Sequence, residues 1–68
     1  MEVNTEINSA EIMKNAMDEF KEIQEYMALA KKENAIETYA KLKDKYLLLK
    51  ALLNSLGVNL TDIDKIKE

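Results

Sequence analysis

The 68-residue chain has no cysteine, no histidine, no arginine, no tryptophan and no proline, and a single glycine, Gly57. Each absence excludes something. Without cysteine there is no disulfide to staple a small fold, and without cysteine or histidine the usual zinc ligand sets and every Ser-His or Cys-His nucleophile are gone. Without arginine there is no bidentate fork for phosphates or base edges, and the formal net charge of −3 argues against a general polyanion binder. Only carboxylate, lysine and hydroxyl chemistry is left. The most apolar stretch, Tyr46 to Leu56, is interrupted by Lys50, Asn54 and Ser55 and falls well short of the ~20 residues a membrane span needs. The acidic, polar start from Met1 to Ser9 does not read as a signal peptide, so the expected location is the cytoplasm. Lysine without arginine, with six asparagines and six isoleucines, suits an AT-rich bacterial genome or its mobile elements.

What is present is a helix-former composition, 47% apolar and 34% charged, that reads as one all-α domain. Its size sets a constraint. Ordering about 1.5 kcal/mol worth of freedom per residue calls for roughly 4,000 Å² of apolar burial at about 25 cal/mol per Å². A chain this short, with no disulfide or metal, usually reaches that by associating. A homo-oligomer or an obligate partner is therefore expected.

Hydrophobic periodicity divides the chain. Residues 1–8 carry no helical stripe and read as a flexible arm, with Asn8 and Glu11 at capping-box spacing. From Ser9, Met13, Ala16, Phe20, Ile23, Met27 and Ala30 recur at three- and four-residue intervals, one apolar seam on a helix over 9–32, widened by Ile12, Met17 and Tyr26. Ala35, Tyr39, Leu42, Tyr46, Leu49, Leu53 and Leu56 draw a second seam over 35–56. The two are out of phase. Continuing the first would bury Asn34, Glu37, Lys41 and Asp44, so a break is expected between Lys32 and Asn34, with Asn34 and Glu37 repeating the capping pattern. Gly57 sits where a left-handed residue ends a helix, with Val58 placed to fold back on Leu53. Thr61 and Asp64 then suggest a cap for a short third helix over 61–67, presenting Leu60, Ile63 and Ile66. The expected architecture is an antiparallel helical hairpin with this short third helix, dimerising into a four-helix bundle.

Three features bear on function. Leu47, Leu48 and Leu52 lie off the second seam and make the segment from Tyr46 to Leu56 apolar on most sides, more than one neighbouring helix can cover. Either the third helix and a second copy bury them, or they dock a different protein; Tyr46, Leu47, Leu48, Leu52 and Leu56 are the candidate self-association or protein-binding residues. Charge is split as well: residues 1–34 sum to −4 and residues 35–68 to +1, as expected where an acidic helix pairs with a more basic one. The competing reading uses Lys41, Lys43, Lys45 and Lys50 with Tyr39 and Tyr46 to bind nucleic acid. Finally, Glu19, Glu22 and Glu25 could present oxygens to Mg²⁺ or Mn²⁺, a helical E-x-x-E pattern similar to that of metal-dependent pyrophosphatases. A second acidic pair on a facing helix is missing, since Asp44 is the only acid between Thr38 and Leu60. No cofactor, metal or small-molecule substrate is expected. The functional expectation is a non-catalytic regulator, inhibitor or adaptor that binds protein, itself included, through helix two.

Overall fold

A computed structural model describes residues 8–68, with side chains from Ala10 onward, so residues 1–7 of the arm and the Asn8 side chain expected to cap with Glu11 lie outside the described residues, while the backbone of Asn8 already belongs to the first helix. Two helices, α1 (Asn8–Lys32) and α2 (Ile36–Ser55), pack as a hairpin, and no strand occurs among the described residues. Both seams close on each other. Ala16, Phe20, Ile23 and Met27 of α1 meet Tyr46, Leu49 and Leu53 of α2 in one buried cluster, which Leu60 from the chain's end completes. Phe20 and Tyr46 stack at its centre, ring centroids 5.3 Å apart and ring planes nearly parallel at 13°, an arrangement worth about 0.5–1.5 kcal/mol beyond the area it buries.

The break falls where the phase shift requires, but Asn34 works differently from the expected cap. Its φ of 58° is left-handed, the Ala35 amide donates to Ala30 at 2.8 Å and the Asn34 amide to Lys31 at 3.1 Å. These are the two bonds of a Schellman motif, so Asn34 closes α1 rather than opening α2. The N-cap of α2 is Ala35, which has no side-chain acceptor to offer. Asparagine serves here because, apart from glycine, it tolerates the left-handed region best. Gly57, at φ 83°, repeats the motif as expected: its amide reaches Asn54 and that of Val58 reaches Leu53, both at 3.0 Å.

The short helix expected over 61–67 is not formed. Residues 61–63 make a single turn, with the Ile63 and Asp64 amides on the Leu60 carbonyl at 3.1 and 2.8 Å. The next amides go to side chains: Lys65 and Ile66 donate to Gln24 Oε1 at 2.6 and 3.1 Å, and Lys67 to Asp64 Oδ1 at 2.8 Å. A helix cannot propagate when its donors are taken in this way. Nor do Thr61 and Asp64 form a cap, because the Thr61 amide bonds Asn59 Oδ1 at 2.9 Å in an Asx turn. The apolar spacing still does its work, with Leu60 buried and Val58, Ile63 and Ile66 packed on the core. The result is an irregular strap along one side of the hairpin. The molecule measures 48 × 24 × 14 Å, barely more than one helix diameter through its thinnest direction.

Candidate functional site

The strap is held by a polar clamp that hydrophobic periodicity does not reveal. Gln24 lies one turn beyond Phe20 and is buried. Its amide Nε2 donates to the Ile63 carbonyl at 3.1 Å and, more weakly, to that of Phe20 at 3.4 Å, while its oxygen accepts the two strap amides. All the hydrogen-bonding capacity of this buried amide is thereby engaged with backbone. Across the groove the Tyr46 hydroxyl donates to Asp64 Oδ1 at 2.7 Å and accepts the Glu68 amide at 3.0 Å. Lys50 reaches Asp64 Oδ2 at 2.9 Å and the Glu68 carbonyl at 2.8 Å, with its ammonium 5.6 Å from the Tyr46 ring centre. The only signals for this in the sequence are a lone glutamine beside an apolar seam and a tyrosine inside one.

The clamp shifts its own titrating groups. Burial pushes the Asp64 carboxyl up, but the Lys67 amide, the Tyr46 hydroxyl and Lys50 together outweigh it and hold Asp64 below the usual carboxylate range. Burial raises the Tyr46 phenol, and its bond to Asp64 raises it further. The hydrogen bond to Asp64 raises Lys50. At the strap's end the bond between Lys43 and Glu68 raises the first and lowers the second.

The opposite side of the hairpin carries no strap. At about 100° per residue, Gln24 on α1 and Lys43 and Lys50 on α2 flank the seams on the strap side, whereas Glu19 and Lys45 flank them on the other. That pair forms an ion pair at 3.1 Å across the helices. On this open face α1 presents Ile12, Asn15, Glu19, Glu22 and Tyr26, spaced three, four, three and four. α2 presents Thr38, Lys41, Lys45, Leu48 and Leu52 with the same spacing. Ile12 is 51% exposed, Leu52 39% and Leu48 72%, a large fraction for a leucine beside two others.

The five residues singled out in the sequence separate accordingly. Leu48 and Leu52 share the open face, with Leu56 half-buried at its end. Leu47 is turned about 100° from Leu48 and stands apart, 42% exposed. Tyr46 is fully buried in the stack and the clamp, so it has no surface to offer a partner. Ile12, expected to widen the core seam, is exposed instead, as is Tyr26, whose hydroxyl bonds Glu22 at 3.3 Å. These two are the open-face residues that the leucine excess of helix two did not indicate.

The arrangement bears on the other chemistries too. Lys43, Lys45 and Lys50 are paired with Glu68, Glu19 and Asp64, and Tyr46 cannot stack a base. Glu19 is engaged by Lys45 and Glu22 by Tyr26. Among the described residues no three acidic side chains come together to hold a metal ion, and no helix is long and apolar enough to cross a membrane. Comparison with protein-family models, with curated proteins and with solved structures finds no match for the chain.

Proposed function

We propose that the protein is a small non-catalytic binding protein, a regulator, inhibitor or adaptor, that docks protein surfaces through the open face of its hairpin and closes there into a four-helix bundle. One observation carries this reading: a slab 14 Å thick has one side covered by its own strap while the other leaves Ile12, Leu48 and Leu52 in water. Helical domains ordinarily bury their apolar stripes between two layers; here the strap supplies a partial second layer on its own side, where Ile36 and Leu47 still stay 78% and 42% exposed, and none of the described residues covers the open face.

Sedimentation over a wide concentration range, with helicity followed on the same samples, tests the reading. Leu52→Lys and Leu48→Lys should give a lighter species of unchanged helicity, with Leu52→Lys the stronger because it points more directly out of the face. Asp44→Lys, on the outer side of α2, should behave as wild type. If both leucine variants keep the wild-type mass and melting temperature, the face is simply solvated and the reading fails.

A further inference from the structure

Resting on that reading, we infer that the occupant of the open face is a second copy of this chain, placed with its α2 on α1 and its α1 on α2, both hairpin turns at the same end. The argument is one of charge and register. On this face α1 carries Glu19 and Glu22 and no lysine, whereas α2 carries Lys41 and Lys45 and no acid. A self-complementary face needs the symmetry operation that brings unlike halves together.

Two such operations stack the hairpins face to face. A two-fold axis across the helices lays α1 on α1 and α2 on α2, and at mid-height it sets glutamates against glutamates and lysines against lysines. An axis parallel to the helices lays each α1 on the other copy's α2, running antiparallel. That axis leaves heights along the bundle unchanged, so the register between copies is the register within one. Within the chain that register is fixed by the Glu19–Lys45 bridge and the Phe20–Tyr46 stack. It follows that Ile12 meets Leu52, Asn15 meets Leu48, Glu19 meets Lys45, Glu22 meets Lys41 and Tyr26 meets Thr38 of the second copy. Both charged pairs are then of opposite sign and Ile12 meets Leu52, while Leu48 meets the polar Asn15 and gains no apolar counterpart from the facing row. Two Glu19 and two Lys45 side chains alternate in a ring at the centre, and Ile12 and Leu52 of both copies form an apolar plug at the end remote from the turns. Like charges placed directly opposite would disfavour the other stacking.

A nitroxide spin label on Glu33→Cys, at the turn and exposed, reads the arrangement directly. In the full-length protein at concentrations where it sediments as a dimer, label-to-label distances should centre near about 20–25 Å, two helix widths. A distance beyond roughly 35 Å, the length of the helices, puts the turns at opposite ends and overturns the inference while leaving the docking face standing. A monomer at every concentration overturns it too; if Leu52→Lys then melts like wild type, the docking reading falls with it. Independently, Glu22→Lys should weaken the dimer roughly five- to tenfold, as two exposed pairs are lost, and adding Lys41→Glu should restore it. Failure of the second change to restore the first also overturns the arrangement.

Discussion

Replacing Gln24 by leucine isolates the clamp from the core, because leucine fills the space but can neither give nor take a hydrogen bond. Two strap amides, at 2.6 and 3.1 Å, and the Ile63 carbonyl, at 3.1 Å, would lose their partner. An orphaned buried polar group costs about 1–3 kcal/mol. These three are only partly buried, so the low end applies and the sum is about 3 kcal/mol. A domain of this length has roughly 3–10 kcal/mol in all. The strap should therefore peel away before the hairpin melts, since its backbone groups regain water once free. Because the strap carries no helix, urea unfolding followed by circular dichroism, which follows the hairpin, should show its midpoint fall by clearly less than the roughly 3 M that the whole sum would give at a slope near 1 kcal/mol/M. Native-state hydrogen exchange should find the Lys65 and Ile66 amides exchanging on the order of a hundredfold faster, while amides in the middle of α1 and α2 change much less. Gln24→Glu, which keeps an acceptor for the two amides but loses the donor to Ile63, should fall between. A midpoint within 0.5 M of wild type, with Lys65 and Ile66 still protected in Gln24→Leu, would refute the claim that this side chain holds the strap.

Gly57→Ala should cost about 1–2 kcal/mol by thermal or urea unfolding: the φ of 83° is unfavourable for an L side chain although nothing lies near the added methyl; an unchanged midpoint would mean that the Schellman turn is not kept. The pH dependence of the strap has a worked sign. Asp64 is lowered in the folded state, so its contribution is complete above the unfolded value near 3.9 and is lost as pH falls below about 4 toward the folded value. Tyr46 and Lys50 are raised, so theirs is complete below about 10 and lost as pH rises through the folded values. Strap amides should accordingly lose protection at both extremes, and Asp64→Asn should shrink the acidic limb to the part that Glu68, lowered by Lys43, supplies; an acidic limb that persists unchanged in that variant would assign it to other carboxylates. Phe20→Ala, which removes half of the central stack, should cost about 3–5 kcal/mol, and a loss below 1 kcal/mol would show the Phe20–Tyr46 contact to be dispensable.

The periodicity of Met13 to Ala30 and of Ala35 to Leu56 was enough to read two helices, their inward faces and the break between them, because a helix repeats every 3.6 residues and an apolar stripe must be buried. Gly57 with Val58 was enough to read the end of the second helix, since a left-handed stop is a local matter of backbone sterics. Asn34 shows the limit of local reading: the same residue can open one helix or close another, and the register of the turn chose the second. The tertiary structure alone settled the course of the last ten residues. Their spacing suits a helix, but Gln24, some forty positions away, and Asp64 take the amides a helix would need. It also settled which apolar residues stay in water. Leu47, Leu48 and Leu52 look alike in the sequence, yet only placing the strap on one side of the hairpin leaves Leu48 and Leu52 on the other, beside an isoleucine from the opposite helix. Local spacing specifies each helix by itself; which side of the pair is covered depends on contacts between residues far apart in the chain, and no periodicity encodes those.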